Sequence, residues 1–181
     1  TSRTRRGRSS SFASRAIGLD RLWPRTGHFM LEWDHAQTRQ VDQVIGAFFM
    51  IRRELFESLS GFDERFFVYF EEVDLAWRAR QAGWTSVYVA EARAYHKGGG
   101  TSSAVKDVRL FYSLRSRLQY SRKHFRLPER LLLWAVTFAL EPISRAVHLA
   151  LGRRWGEVQQ LTAAYAMLWR SRSSAPTATR G

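Results

Sequence analysis

Residues 66–84 read F-F-V-Y-F-E-E-V-D-L-A-W-R-A-R-Q-A-G-W, and the periodicity of the chain changes in the middle of them. Residues 66–70 are a short apolar run. Beyond it Leu75, Ala79 and Ala82 recur at i, i+4 and i+7, Arg78 and Arg80 fall elsewhere, and Gly83 follows. The spacing predicts a helix of about three turns opening at Glu71, acidic at its start and basic toward its end, as the macrodipole prefers. Three carboxylates, Glu71, Glu72 and Asp74, therefore gather beside aromatic side chains in a chain of formal net charge +13. The positive end of the helix dipole is an ordinary reason for acids in a first turn. Aromatic flanks add a functional one, since desolvation raises a carboxylate pKa toward a value useful for proton abstraction.

The flanking segments give that helix a setting. Residues 41–52, V-D-Q-V-I-G-A-F-F-M-I-R, are dense in β-formers around Gly46 and predict a buried strand, interrupted or closely approached at the glycine. A short helix over 53–59 follows, ended by Ser60-Gly61 with Gly61 suited to a left-handed cap, then a turn at Phe62-Asp63-Glu64. Residues 84–89 predict a strand and 92–96 a second extended piece. The loop H-K-G-G-G-T-S-S follows, residues 96–103. A carboxylate near a loop of free backbone N–H groups suits a reaction that deprotonates an acceptor and expels a phosphate-bearing group. Trp77 and Trp84 read as core residues, and Arg78 as the partner of Asp74 one turn back.

The rest reads as helical. Over 108–125, Val108, Phe111, Leu114 and Leu118 share one side, with Arg109, Arg115, Arg117, Arg122 and Lys123 around it. Pro128 is placed to open the next helix, Glu141-Pro142 to interrupt it, and a last amphipathic piece spans 158–169. Residues 131–151 are long enough to span a bilayer but contain Glu141, Pro142, Arg145 and His148. Each ionised residue at the midplane costs roughly 2.5–3.5 kcal/mol, so the expectation is a surface lying on anionic lipid, with Trp134, Trp155 and Trp169 as anchors. A helical layer packed on the preceding domain, or a dimer contact, is the alternative. The implied organisation is an arm or loop region over 1–40, an α/β unit over 41–105, a helical region over 106–170 and a loose tail over 171–181. The absence of cysteine excludes disulfides and thiolate zinc sites.

Taken in order, V-I-G-A-F-F-M-I-R-R-E-L-F-E, G-F-D-E-R-F-F-V-Y-F-E-E-V-D-L-A-W-R-A-R-Q-A-G-W and V-Y-V-A-E-A-R-A-Y-H-K-G-G-G-T-S resemble the C-terminal half of family-2 glycosyltransferases, closest to a bacterial rhamnosyltransferase-like branch. The resemblance covers residues 41–102. It implies an α/β fold of GT-A type that binds a nucleotide-sugar and inverts the anomeric centre, followed here by the helical region. It implies that the pair Glu71-Glu72 supplies the base, with Glu72 matching the base position, and that Asp74 orients the loop and helix start. Gly46 and Ala47 match a small pair that lets backbone approach the sugar. His96 matches a ligand of a divalent metal, magnesium or manganese, and Gly98, Gly99 and Thr101 would lie near the donor diphosphate. The family's main metal motif, D-x-D, is absent, which implies an acceptor-side half whose donor-binding residues precede Thr1.

The expected partners are thus a nucleotide-sugar donor, a lipid-linked or glycan acceptor and an anionic membrane surface, at the cytoplasmic face of a bacterial membrane. Two other classes compete. A basic chain also attracts nucleic acid, but no helix-turn-helix, finger or aromatic-basic strand signature is present, so no specific nucleic-acid partner is expected. A non-catalytic, membrane-associated assembly partner is the third.

Overall fold

The computed structural model describes residues 2–3, 33–95 and 105–173. Among them, short strands form two separate antiparallel pairs. β1 (Ser2–Arg3) lies against β3 (Gln43–Val44), with Ser2 opposite Val44. β2 (Arg39–Val41) lies against β4 (Ser86–Tyr88), with Arg39 opposite Tyr88 and Val41 opposite Ser86. Thr38 fixes the open end of this second pair: its Oγ1 donates to Glu91 Oε2 and accepts from the Ala90 N–H, each at 2.9 Å.

The strand expected over 41–52 is interrupted in the region of Gly46, as one of the two readings of that glycine has it, and is not resumed beyond it, which corrects its extent. The chain leaves the ladder after Val44, turns at residues 45–48 with the Phe48 N–H on the Ile45 carbonyl, and reaches Arg52 without a strand partner. Strand propensity reflects packing on a half-buried pleated surface, and that surface is missing here: Phe48 and Met50 are exposed. Residues 92–95 likewise pair with no strand among the described residues.

Two helices carry this part of the chain. α1 (Arg53–Ser58) buries Leu55; Ser60 takes the left-handed capping position expected of Gly61, at φ 58°, and Gly61 follows it at φ 67°, their N–H groups on the Glu57 and Phe56 carbonyls. α2 (Glu71–Gln81) buries Val73, Asp74, Leu75 and Ala79. Gly83, at φ 86°, turns the chain so that the Gly83 and Trp84 N–H groups reach the Arg80 and Ala79 carbonyls.

The remainder is helical, as its periodicity predicts. α3 (Lys106–His124) packs against α6 (Gly156–Ser173) through Leu114, Leu118 and Leu168. α4 (Leu127–Ala135) has Pro128 in its first turn. A π turn (Val136–Leu140) joins it to α5 (Glu141–Leu151). The expected break at Glu141-Pro142 is corrected: Ala135, Val136, Leu140 and Glu141 all keep right-handed helical backbone. Proline lacks an N–H and collides with the carbonyl four residues back, and the wider turn just before Pro142 opens the register where that clash would fall.

The α/β and helical parts meet in one apolar cluster of Phe66, Phe70 and Val73 with Tyr120 and Leu133. Burying each large apolar side chain there contributes about 1.5–3 kcal/mol. Glu141 is wholly buried and held by Arg117, whose guanidinium also donates to Thr137 Oγ1 at 2.9 Å, and by Arg145 at 2.8 and 2.9 Å. Arg117 is therefore a buried partner inside the helical layer and no part of a lipid-facing basic surface. Trp134 is corrected in the same way: it packs on the α3–α6 core and donates its indole N–H to Ser121 Oγ.

Candidate active site

The start of α2 is set by an unusual backbone. Tyr69 and Phe70 both have positive φ, 66° and 71°, a conformation unfavourable for bulky side chains and costing of order 1–3 kcal/mol each. Packing holds it: the Phe70 ring is buried 5.6 Å from that of Tyr120, and Ser116 Oγ donates to the Val68 carbonyl at 2.8 Å. The double turn sends Phe70 into the core and leaves Glu71 and Glu72 as the first two residues of the helix.

Both glutamates place their Oε2 atoms out of solvent. Glu72 lines a groove of about 190 Å³ between α1, α2 and β4, with Val44, Phe49, Arg52, Leu75 and Trp84 among its walls. Gly46 abuts the same side chain: a Cβ on Gly46 would stand 3.4 Å from Glu72 Cβ and Cγ. The fold thus brings together Gly46 and Glu72, 26 residues apart in the chain. Ala47 is exposed in the turn beside Gly46.

Asp74 is placed differently. Its side chain is fully buried, with Arg78 Nε on Oδ2 at 2.7 Å and both Lys123 Nζ (2.7 Å) and His124 Nε2 (2.6 Å) on Oδ1. Burial pushes its carboxyl up, but hydrogen bonds from His124, Lys123 and Arg78 outweigh that and hold it below the usual carboxylate range. The net shift of this member of the cluster is therefore downward, opposite to the rise expected of a carboxylate beside aromatic flanks. Arg78 also donates to the Leu59 and Gly61 carbonyls, at 2.5 and 2.7 Å, and Lys123 reaches Asp63 at 2.7 Å. Asp74 is the knot that ties α2 to the 59–63 turn and to the end of α3. The Asp74–Arg78 pair is visible as an i, i+4 spacing. Lys123, His124 and Asp63 carry no such local signal.

His96, Gly98, Gly99 and Thr101 lie outside the described residues. Among the described residues no group of three His, Asp or Glu side chains could hold a metal ion. Trp77 is partly buried with its ring 5.9 Å from that of His124, whereas Trp84, expected in the core, is 43% exposed at the groove.

In sequence, part of the chain is similar to a rhamnosyltransferase and to an O-antigen biosynthesis protein. Over 81 residues it is 41% identical to the N-acetylglucosaminyl-diphospho-decaprenol L-rhamnosyltransferase of two Mycobacterium tuberculosis strains, CDC 1551 / Oshkosh and H37Rv, a match covering 43% of this chain and 26% of each relative. Over 65 residues it is 43% identical to an O-antigen biosynthesis protein of Myxococcus xanthus, covering 36% of this chain and 5% of that protein. The chain thus spans about a quarter of the length of the rhamnosyltransferases it matches. No family model and no solved structure matches it.

Proposed function

We propose that this chain forms the acceptor-side, base-bearing part of an inverting family-2 glycosyltransferase of GT-A type, moving a sugar from a nucleotide-sugar to a lipid-linked or polysaccharide acceptor. The carrying observation is Glu72: a helix-start carboxylate on the wall of a ring-sized groove, packed against a glycine that leaves its side chain room. The likeness to a rhamnosyltransferase and an O-antigen biosynthesis protein supports the same reading. In this chemistry Glu72 takes the proton of an acceptor hydroxyl. The freed oxygen forms a bond to the anomeric carbon as the bond to the diphosphate breaks, and the electron pair leaves with the nucleoside diphosphate. One displacement from the opposite face inverts the centre. Glu71 stands beside it as the other member of the pair, and Asp74 positions the helix. We further assign His96 to the donor diphosphate or to a divalent metal, magnesium or manganese, that neutralises it.

The test is transfer by the full-length protein. Glu72→Gln keeps size and loses basicity, so turnover should fall about 10²–10⁴-fold with little change in donor affinity. Near-normal turnover in Glu72→Gln, together with loss in Glu71→Gln, would move the base to Glu71.

We also propose that the helical region lies on the cytoplasmic face of the membrane. Leu132, Leu140, Ile143, Val147 and Leu151 are exposed along α4, the π turn and α5, while Glu141 faces inward. Trp155 and Trp169 are exposed as well, and Arg109, Arg115, Arg122 and Arg126 supply exposed positive charge. Among the described residues no helix is long and apolar enough to cross a membrane. Such a surface fits the interface of anionic lipid and water.

A further inference from the structure

The groove beside Glu72 has a composition that says which substrate it takes. Its walls are mostly apolar, and its charged members are one anion, Glu72, and one cation, Arg52. The Arg52 guanidinium lies 6.0 Å from the centre of the Trp84 ring, and among the described residues no carboxylate pairs with it. Met50 and Val87 line the groove with 93% and 49% of their surface exposed. An aromatic face stacks on the C–H face of a sugar ring. A guanidinium fork matches a phosphate. Exposed apolar surface at the rim suits a hydrocarbon. A volume of about 190 Å³ is below the ~300–1,000 Å³ of pockets that enclose drug-sized ligands, so it has room for one ring and not for a nucleoside with its sugar.

We propose that this groove is the acceptor subsite for a lipid-linked sugar diphosphate: the sugar stacks on Trp84, the diphosphate lies against Arg52, and the lipid leaves over Met50 and Val87. The inference rests on the glycosyltransferase reading for its meaning, but it concerns binding and is tested without turnover. Trp84 and Arg52 act as recognition residues. They place an acceptor hydroxyl within reach of Glu72 and take no part in the proton transfer.

The experiment is equilibrium binding to the full-length protein, by calorimetry and tryptophan fluorescence, with three probes below their micelle concentrations. One is N-acetylglucosaminyl diphosphate carrying a decyl chain. The second is decyl diphosphate, which lacks the sugar. The third is a nucleoside-diphosphate sugar, which shares the sugar and diphosphate but lacks the lipid. The first probe should bind at least tenfold more tightly than decyl diphosphate. Trp84→Ala should erase that difference and leave decyl diphosphate binding unchanged, and Trp84→Phe should restore part of it. Arg52→Gln should weaken both decyl probes about tenfold and flatten their salt dependence. Circular dichroism of each variant separates these effects from unfolding. Affinities for the first probe within twofold of the parent in both variants would overturn the assignment. So would failure of the parent to bind that probe, or a nucleoside-diphosphate sugar that binds as tightly and is lost through the same substitutions. If the binding pattern holds while Glu72→Gln transfers sugar normally, the base assignment fails and the subsite stands. If Glu72→Gln loses transfer while Trp84 and Arg52 prove silent, the reverse is true.

Discussion

Gly46 lies against the Glu72 side chain: a methyl added at Gly46 would stand 3.4 Å from Glu72 Cβ and Cγ, at ordinary van der Waals distance with little room beyond. The φ of Gly46 is outside the left-handed range, so a side chain there adds no backbone strain. Gly46→Ala should therefore change stability by less than about 1 kcal/mol and reduce transfer only a few-fold. Gly46→Val should leave the fold intact and abolish most transfer, because its second methyl displaces the Glu72 carboxylate. Denaturant melts run beside turnover assays check this. Full activity in Gly46→Val would mean that Glu72 need not occupy its present position.

The knot at Asp74 makes an acid-stability prediction. Its folded pKa is depressed, as is that of Asp63, where Arg65 and Lys123 hold the carboxylate. An unfolded Asp titrates near ~3.9, so in acid the unfolded chain binds more protons than the folded one. The stabilisation is present above that value and is lost as pH falls through the folded pKa values. Asp74→Asn leaves Arg78, Lys123 and His124 around a neutral group and should cost about 3–5 kcal/mol at pH 7. It should also flatten the stability profile below about pH 4. Urea titrations from pH 2 to 7 measure both. A loss under about 1 kcal/mol, or an unchanged acid slope, would show that the knot does not hold the helix start.

His96→Ala in the full-length protein should raise the magnesium or manganese concentration needed for half-maximal transfer. Its effect on acceptor affinity should be small. A metal titration and a donor affinity both unchanged would remove His96 from the donor site.

For the membrane, flotation with vesicles is the direct measurement. Binding should increase with the fraction of anionic lipid and weaken with salt, at about 1 kcal/mol per basic residue near the surface. Ile143→Ser with Val147→Ser should reduce the salt-resistant part, and alkaline carbonate should strip the protein. Indifference to lipid charge, or complete resistance to carbonate, would contradict a surface-bound arrangement.

The sequence reveals those parts of this structure that depend on neighbours three or four residues apart. The α2 start at Glu71, the Asp74–Arg78 pair, the helix stop at Ser60-Gly61 and the entry of α4 at Pro128 all follow from local rules. What escapes is set at a distance. The two left-handed aromatic residues before α2 have no local signature, because Tyr and Phe disfavour that conformation and contacts with α3, through Tyr120 and Ser116, hold it. The β-rich run after Val44 is not a strand, because no partner edge lies beside it. Trp84 has the composition of a core residue and the position of a groove wall. Lys123 and His124 look like two more members of a basic helix until folding sets them against a carboxylate 49 and 50 positions earlier.

The π turn between α4 and α5 works as a phase shift. Leu133, Thr137 and Glu141 are all fully buried and follow one another at intervals of four. In an α-helix of 3.6 residues per turn each such interval advances the side chain by about 40° beyond a full turn, so the third would swing well away from the first. The wider turn absorbs that drift. It keeps Glu141 facing Arg117, while Ile143, Val147 and Leu151 stay exposed on α5. Removing a single residue from the turn would rotate everything beyond it by about 100°, carrying the buried carboxylate outward and the apolar stripe toward α3. A local irregularity of five residues thus sets the facing of both the buried ion pair and the outer surface.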